Sequence, residues 1–95
     1  MIIVIAKNVF SEDKVSVAVS LCGALAEATR NEEGCNKYEL FQDEKDLCTL
    51  TFIEEWESRE ALEKHFESEH FLRIVPLLRD LMIKETEMNI YTKII

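Results

Sequence analysis

The stretch from Phe52 to Phe71 constrains this chain more than any other. Phe52-Ile53-Glu54-Glu55-Trp56 reads as the end of a buried strand, and Ser58 offers an N-cap for the helix that follows. The same stretch carries the only tryptophan and both histidines, His65 and His70. The remaining segments read as a scaffold facing it.

Taken in order, Ile2 to Phe10 is β-branched and apolar and reads as a strand. Ser11 is placed as an N-cap, with Glu12 and Asp13 suited to a helix dipole. Val15, Val19, Cys22, Leu25 and Ala26 then recur at helical spacing up to about Thr29. Asn31 to Gly34 ends that helix, with Gly34 as its left-handed terminator. Cys35 to Gln42 and Leu47 to Trp56 form a hairpin around Asp43-Glu44-Lys45-Asp46. A second helical segment starts at Ser58, and Pro76 is expected to break it into two short helices. Glu85 to Ile95 is the last strand.

This order is βαββαβ. It predicts one α+β domain over residues 1–95, a ferredoxin-like four-stranded antiparallel sheet with its helices on one face. A turn centred near Glu44 and Lys45 sets Leu40 opposite Leu50, Tyr38 opposite Phe52, and Glu54 near Asn36. Period-2 alternation then puts Asn36, Tyr38, Leu40, Cys48, Leu50, Phe52, Glu54 and Trp56 on the helix-covered face. The opposite face collects Ile3, Ile5, Phe41 and Ile53 together with Cys35, Lys37, Glu39, Thr49, Thr51 and Glu55. Burying each large apolar side chain is worth roughly 1.5–3 kcal/mol. A two-fold homodimer that covers this face is therefore expected.

Composition removes several classes. A formal charge of −8 argues against a nucleic-acid partner, because phosphate backbones demand clustered Lys and Arg. The apolar run Met1 to Ile5 is cut by Lys7 and Asn8 well short of a membrane span. Cys22, Cys35 and Cys48 form no C-x-x-C pair and read as small hydrophobes of a reducing cytosol, so a cytoplasmic location is expected. With only Gly23 and Gly34, no glycine-rich phosphate loop exists, and no nucleotide cofactor is expected. No metal is expected either: His65 and His70 are five apart, roughly 140° around a continuous helix.

The helix-facing side of the sheet mixes large apolar groups with Asn8, Tyr38, Glu54 and Trp56, and the second helix can add His65 or His70. An interface that only packed would hardly need so many polar groups, since each buried one costs unless paired. Aromatic walls with a few convergent polar groups describe a small-molecule pocket. Each residue has a structural alternative. Trp56 can be core, Glu54 can pair with an amide or a histidine, and His65 can make a structural hydrogen bond. His70 can be a general base near neutrality, or a cap.

Several local patterns go further. Glu33-Gly34-Cys35 precedes Tyr38-Glu39-Leu40, and Glu54-x-Trp56-x-Ser58 precedes Glu60-Ala61-Leu62-x-x-His65. Ser68-x-His70-Phe71 and Glu87-Met88-Asn89-Ile90 follow. Together they resemble the antibiotic biosynthesis monooxygenase family. The resemblance implies a homodimeric α+β barrel of two ferredoxin-like subunits, each with a pocket between sheet and helices. It also implies oxidation of a small aromatic quinol or polycyclic phenol by O2, without metal, flavin or nicotinamide. Mapped onto this chain, His70, or else His65, moves the proton, and Asn8 orients an oxygen. Trp56 and Tyr38 hold the ring, while Phe52, Glu54 and His65 complete the substrate contacts. The haem-degrading branch of the family pairs a first-strand Asn and a third-strand Trp, matched here by Asn8 and Trp56, with a helical histidine that aligns with Val75. Another branch is a non-oxidative isomerase. A non-catalytic small-molecule binding or stress protein is the remaining alternative.

Overall fold

The computed structural model describes residues 1–95. Strand β1 (Ile2–Val9) leads through one 3-10 turn, Glu12–Lys14, into helix α1 (Val15–Thr29). Strands β2 (Cys35–Gln42) and β3 (Thr49–Trp56) form the hairpin. Helices α2 (Arg59–Phe66) and α3 (Glu69–Arg79) follow, and β4 (Glu87–Thr92) closes the sheet. The strand order is β2-β3-β1-β4, with every neighbouring pair antiparallel. This is the expected ferredoxin-like arrangement. Ala18, Cys22 and Leu25 of α1, Leu62 of α2, and Ile74 and Leu78 of α3 join Val4, Phe52 and Trp56 in one core. All three helices thus lie on one face.

The hairpin register differs from the expected one by two residues. Leu40 pairs with Phe52, Tyr38 with Glu54, and Gln42 with Leu50. The turn is longer than the sequence suggests, because its aspartates satisfy it internally. Asp43 Oδ1 accepts from the Lys45 and Asp46 amides, and Asp46 accepts from the Cys48 amide and the Thr49 hydroxyl. Strand β3 accordingly starts at Thr49 rather than Leu47. A slip of two keeps every side chain on its face, so the sorting of Tyr38, Phe52, Glu54 and Trp56 survives. A bulge between Cys35 and Lys37 is what moves residues across. It sets Cys35 opposite Trp56 and packs it against the core, and it turns Asn36 out to solvent, the reverse of expectation.

Three element ends also move. Ser11 makes no side-chain cap, and α1 starts only at Val15. Gly34 does not terminate α1, which stops at Thr29; it sits in the turn into β2 at φ +84°. A Cβ there would lie 2.6 Å from the Ala61 Cβ, so glycine lets α2 close onto this turn. Finally, the second helical segment divides at Glu67 and Ser68, and α3 runs through Pro76 to Arg79. The Ser68 hydroxyl accepts from the Phe71 amide and so begins a new helix, as Ser58 does from Ala61. Buried Ile74 and Leu78, two residues either side of Pro76, hold α3 together across it.

Candidate functional site

A cavity of about 880 Å³ opens between the sheet and the helices. Ala6 and Asn8 of β1, Tyr38 of β2, Phe52 and Glu54 of β3, and Met88 of β4 form its floor. His65 and Phe66 of α2, with Phe71, Val75 and Leu78 of α3, form its roof. Arg79 and the segment Met82 to Thr86 surround its mouth. That segment is stitched to the end of β1 and the residues after it. Ser11 N–H donates to the Leu81 carbonyl, Ile83 N–H donates to the Val9 carbonyl, and Phe10 bridges Met82. The volume and the aromatic lining suit a multi-ring ligand.

Of the residues singled out from the sequence, Asn8, Tyr38, Phe52, Glu54 and His65 line this cavity. Trp56 and His70 do not. Trp56 is 0% exposed and packs beside the cavity, behind the lining residues Glu54, Tyr38 and His65. Its Nε1–H donates to Glu54 Oε1 at 2.9 Å, a contact open to strand neighbours two apart on one face. Burial pushes the Glu54 carboxyl up to about 7, the indole donor opposes that rise, and the Glu32 charge adds to it. Burial, and then the Glu54 charge, also raise Tyr38, whose hydroxyl keeps its proton across the ordinary pH range.

Asn8 is held from three sides. Its Nδ2 donates to the Ala6 and Leu50 carbonyls at 3.2 and 3.3 Å, and its Oδ1 accepts from the Thr86 hydroxyl at 2.6 Å. A buried amide is thereby fixed in orientation at the cavity wall, with one Oδ1 lone pair still free.

Glu32 is the residue that sequence reasoning missed. It lies in the turn after α1, and its Oε2 is 2.7 Å from His65 Nδ1 and 2.6 Å from His70 Nε2. Thirty-three and thirty-eight residues separate these partners, and no periodicity links a turn to two helix ends. The nearest signal is its place just before Gly34, whose close approach to Ala61 brings the turn against α2. The expected angular separation of the histidines does not apply, because the helix breaks between them. His65 is 1% exposed, and burial holds its imidazole below its ordinary range against the pull of Glu32. Its ring lies 4.8 Å from Trp56 and 5.0 Å from Phe71, centroid to centroid. The two imidazole nitrogens and a Glu32 oxygen lie within 4.8 Å of one another, a set able to ligate a cation.

The comparisons with known proteins agree with this fold. Residues 1–77 match the family model described as antibiotic biosynthesis monooxygenase. A crystal structure of a conserved protein from Methanosarcina mazei superposes with a TM-score of 0.95 at 43% identity, covering 97% of this chain and 91% of that one. A crystal structure described as an antibiotic biosynthesis monooxygenase gives 0.95 at 35% identity, covering 99% of both chains. An uncharacterized Synechocystis protein is 34% identical over 94% of this chain, which spans only 61% of that relative. A Mycobacterium tuberculosis protein with a provisional monooxygenase designation is 30% identical, over 92% of this chain and 85% of its own length.

Proposed function

The chain belongs to the antibiotic biosynthesis monooxygenase family, and we propose that it is a cofactor-independent monooxygenase that oxidises a quinol or polycyclic phenol with O2. The observation carrying this reading is Glu54, a carboxyl raised to about 7, on the wall of an aromatic cavity. A base tuned near neutrality can take a phenolic proton at physiological pH. Only its Oε1 is engaged, by Trp56, so the indole aims the other oxygen rather than touching the ring itself. Tyr38 and Phe52, 4.7 Å apart, hold the substrate ring, and the free lone pair of Asn8 Oδ1 orients a second hydroxyl. His65 borders the same space, while His70 reaches it only through Glu32 and His65.

The anion left by proton removal passes one electron to O2, and recombination joins a ring carbon to oxygen. Loss of water then leaves the hydroxyquinone. A quinol and O2 give a hydroxyquinone and water, so the substrate supplies all four electrons. The protein contributes orientation and a proton acceptor. Val75, where the haem branch has histidine, lines the cavity without a ligand atom, which favours the phenol reading.

The working unit in this reading is a homodimer joined through the helix-free face. On that face Ile53 and Phe41 are 39% and 49% exposed in the single chain. No helix is long and apolar enough to cross a membrane. Three free cysteines fit the reducing cytoplasm, where we place the reaction. The test is O2 uptake with a panel of quinols. Uptake matched one to one by hydroxyquinone, rising as pH passes about 7 and cut roughly 10²–10⁴-fold in Glu54→Gln, is expected. Tight binding without O2 consumption across the panel would leave a binding protein instead.

A further inference from the structure

We propose that Glu32, His65 and His70 bind one divalent transition-metal ion, zinc or a first-row neighbour. The three come from three separate elements: the turn after α1, the last turn of α2 and the first turn of α3. Both imidazoles aim a ring nitrogen at the same carboxylate oxygen, at 2.7 and 2.6 Å. Two N–H groups directed at one anion mark a point where a single cation can replace both. The donor set of two imidazoles and one carboxylate suits zinc, iron, cobalt or nickel better than calcium or magnesium, which prefer all-oxygen ligands.

The geometry requires the three ligand atoms, which lie within 4.8 Å of one another, to even out their spacing. Ligand atoms around a tetrahedral ion with bonds of about 2.0–2.1 Å sit about 3.3 Å apart. The Glu32 oxygen must therefore withdraw by about 0.6 Å from each nitrogen, and the nitrogens, as far as 4.8 Å apart, must close by up to about 1.5 Å. Glu32 lies in a turn and His70 is partly exposed at the start of α3, so these two make the adjustment. His65 is fixed in advance: it is almost wholly buried, lies between Trp56 and Phe71, and its carbonyl accepts from the Ser68 hydroxyl at 2.7 Å. Glu32 and His70 are partly exposed, which provides an entry path and a fourth position for water. Coordination through Nδ1 places the His65 ring proton on Nε2, which makes no hydrogen bond in the chain. The break at Ser68 brings the two histidines together.

The test reads binding rather than turnover, so it stands or falls apart from the monooxygenase reading. Chelator-stripped full-length protein is titrated with Co²⁺ alone, and its visible absorption is followed before Zn²⁺ is added. A one-to-one tetrahedral cobalt spectrum that zinc displaces is expected. Glu32→Gln and His70→Ala are partly exposed substitutions that leave His65 in place, and circular dichroism checks their folding. Each should weaken cobalt binding by more than the roughly 10–100-fold that losing an outer-shell partner costs. Absence of one-to-one binding, or unchanged affinity in folded His70→Ala, overturns the site and leaves the three residues as a hydrogen-bonded clip between turn and helices.

Discussion

The two faces of the sheet are built from the same strands and do opposite things. On the helix-covered face, Val4, Asn8, Tyr38, Phe52, Glu54 and Trp56 are all buried, and the polar side chains among them are tied by hydrogen bonds or line the cavity. On the other face Ile53, Phe41 and Tyr91 stand 39–49% exposed among Lys7, Lys37, Glu39 and Glu55. Simple alternation would make one face apolar and the other wet. Here the buried face carries the polar groups that the proposed reaction uses, and the uncovered face carries the apolar groups that the proposed dimer would cover. Polarity alone therefore does not tell inside from outside. Pairing does, because a buried polar group persists only where its partners are fixed.

Substitutions can break this contrast, in descending order of effect. On the uncovered face, Ile53→Glu or Phe41→Glu should destabilise a two-fold dimer by about 3–6 kcal/mol, two copies of one buried side chain. Sedimentation should then show monomer or insoluble protein, and a sound dimer in both variants would refute the assignment of that face. On the covered face, Trp56→Ala should cost about 3–5 kcal/mol in urea unfolding while leaving the dimer intact. It should also weaken aromatic ligands, because Glu54 loses the donor that aims it.

Glu54→Gln should act on stability with a defined sign. The folded carboxyl sits at about 7 against an ordinary 4.5, so the native state holds its proton more tightly than the unfolded chain. That contribution is complete below about pH 4.5 and is lost as pH rises through 7. The glutamine variant should thus gain up to roughly 3 kcal/mol over the parent at pH 8 and nothing at pH 4. A gain independent of pH would show that the carboxyl is not the strained group. Smallest of all, Lys7→Ala removes a 3.8 Å pair with Glu87 on the uncovered face, both partners about half exposed. It should shift stability by less than about 1 kcal/mol.

Much of this was legible in the chain. The element order, the Ser58 cap and the shared face of Tyr38, Phe52, Glu54 and Trp56 follow from periods of 2 and 3.6 that belong to the backbone itself. That sharing even survived a misplaced register, because the error was an even number of residues. Asn8 and Glu54 stood out for a related reason: a polar residue on an apolar face conflicts with its neighbours in the pattern.

What the sequence determined by itself was thus local: which segments are strands and helices, and which side chains share a face. The tertiary structure alone decided the rest. It put Trp56 behind the cavity lining instead of in it, turned Asn36 outward at a bulge, carried α3 through Pro76, and brought Glu32 to both histidines. The physical reason is range. Backbone periodicity acts over one or two turns. The meeting of side chains thirty or more residues apart depends on how close two elements can pack, which here turns on a missing Cβ at Gly34 and a capping hydroxyl at Ser68.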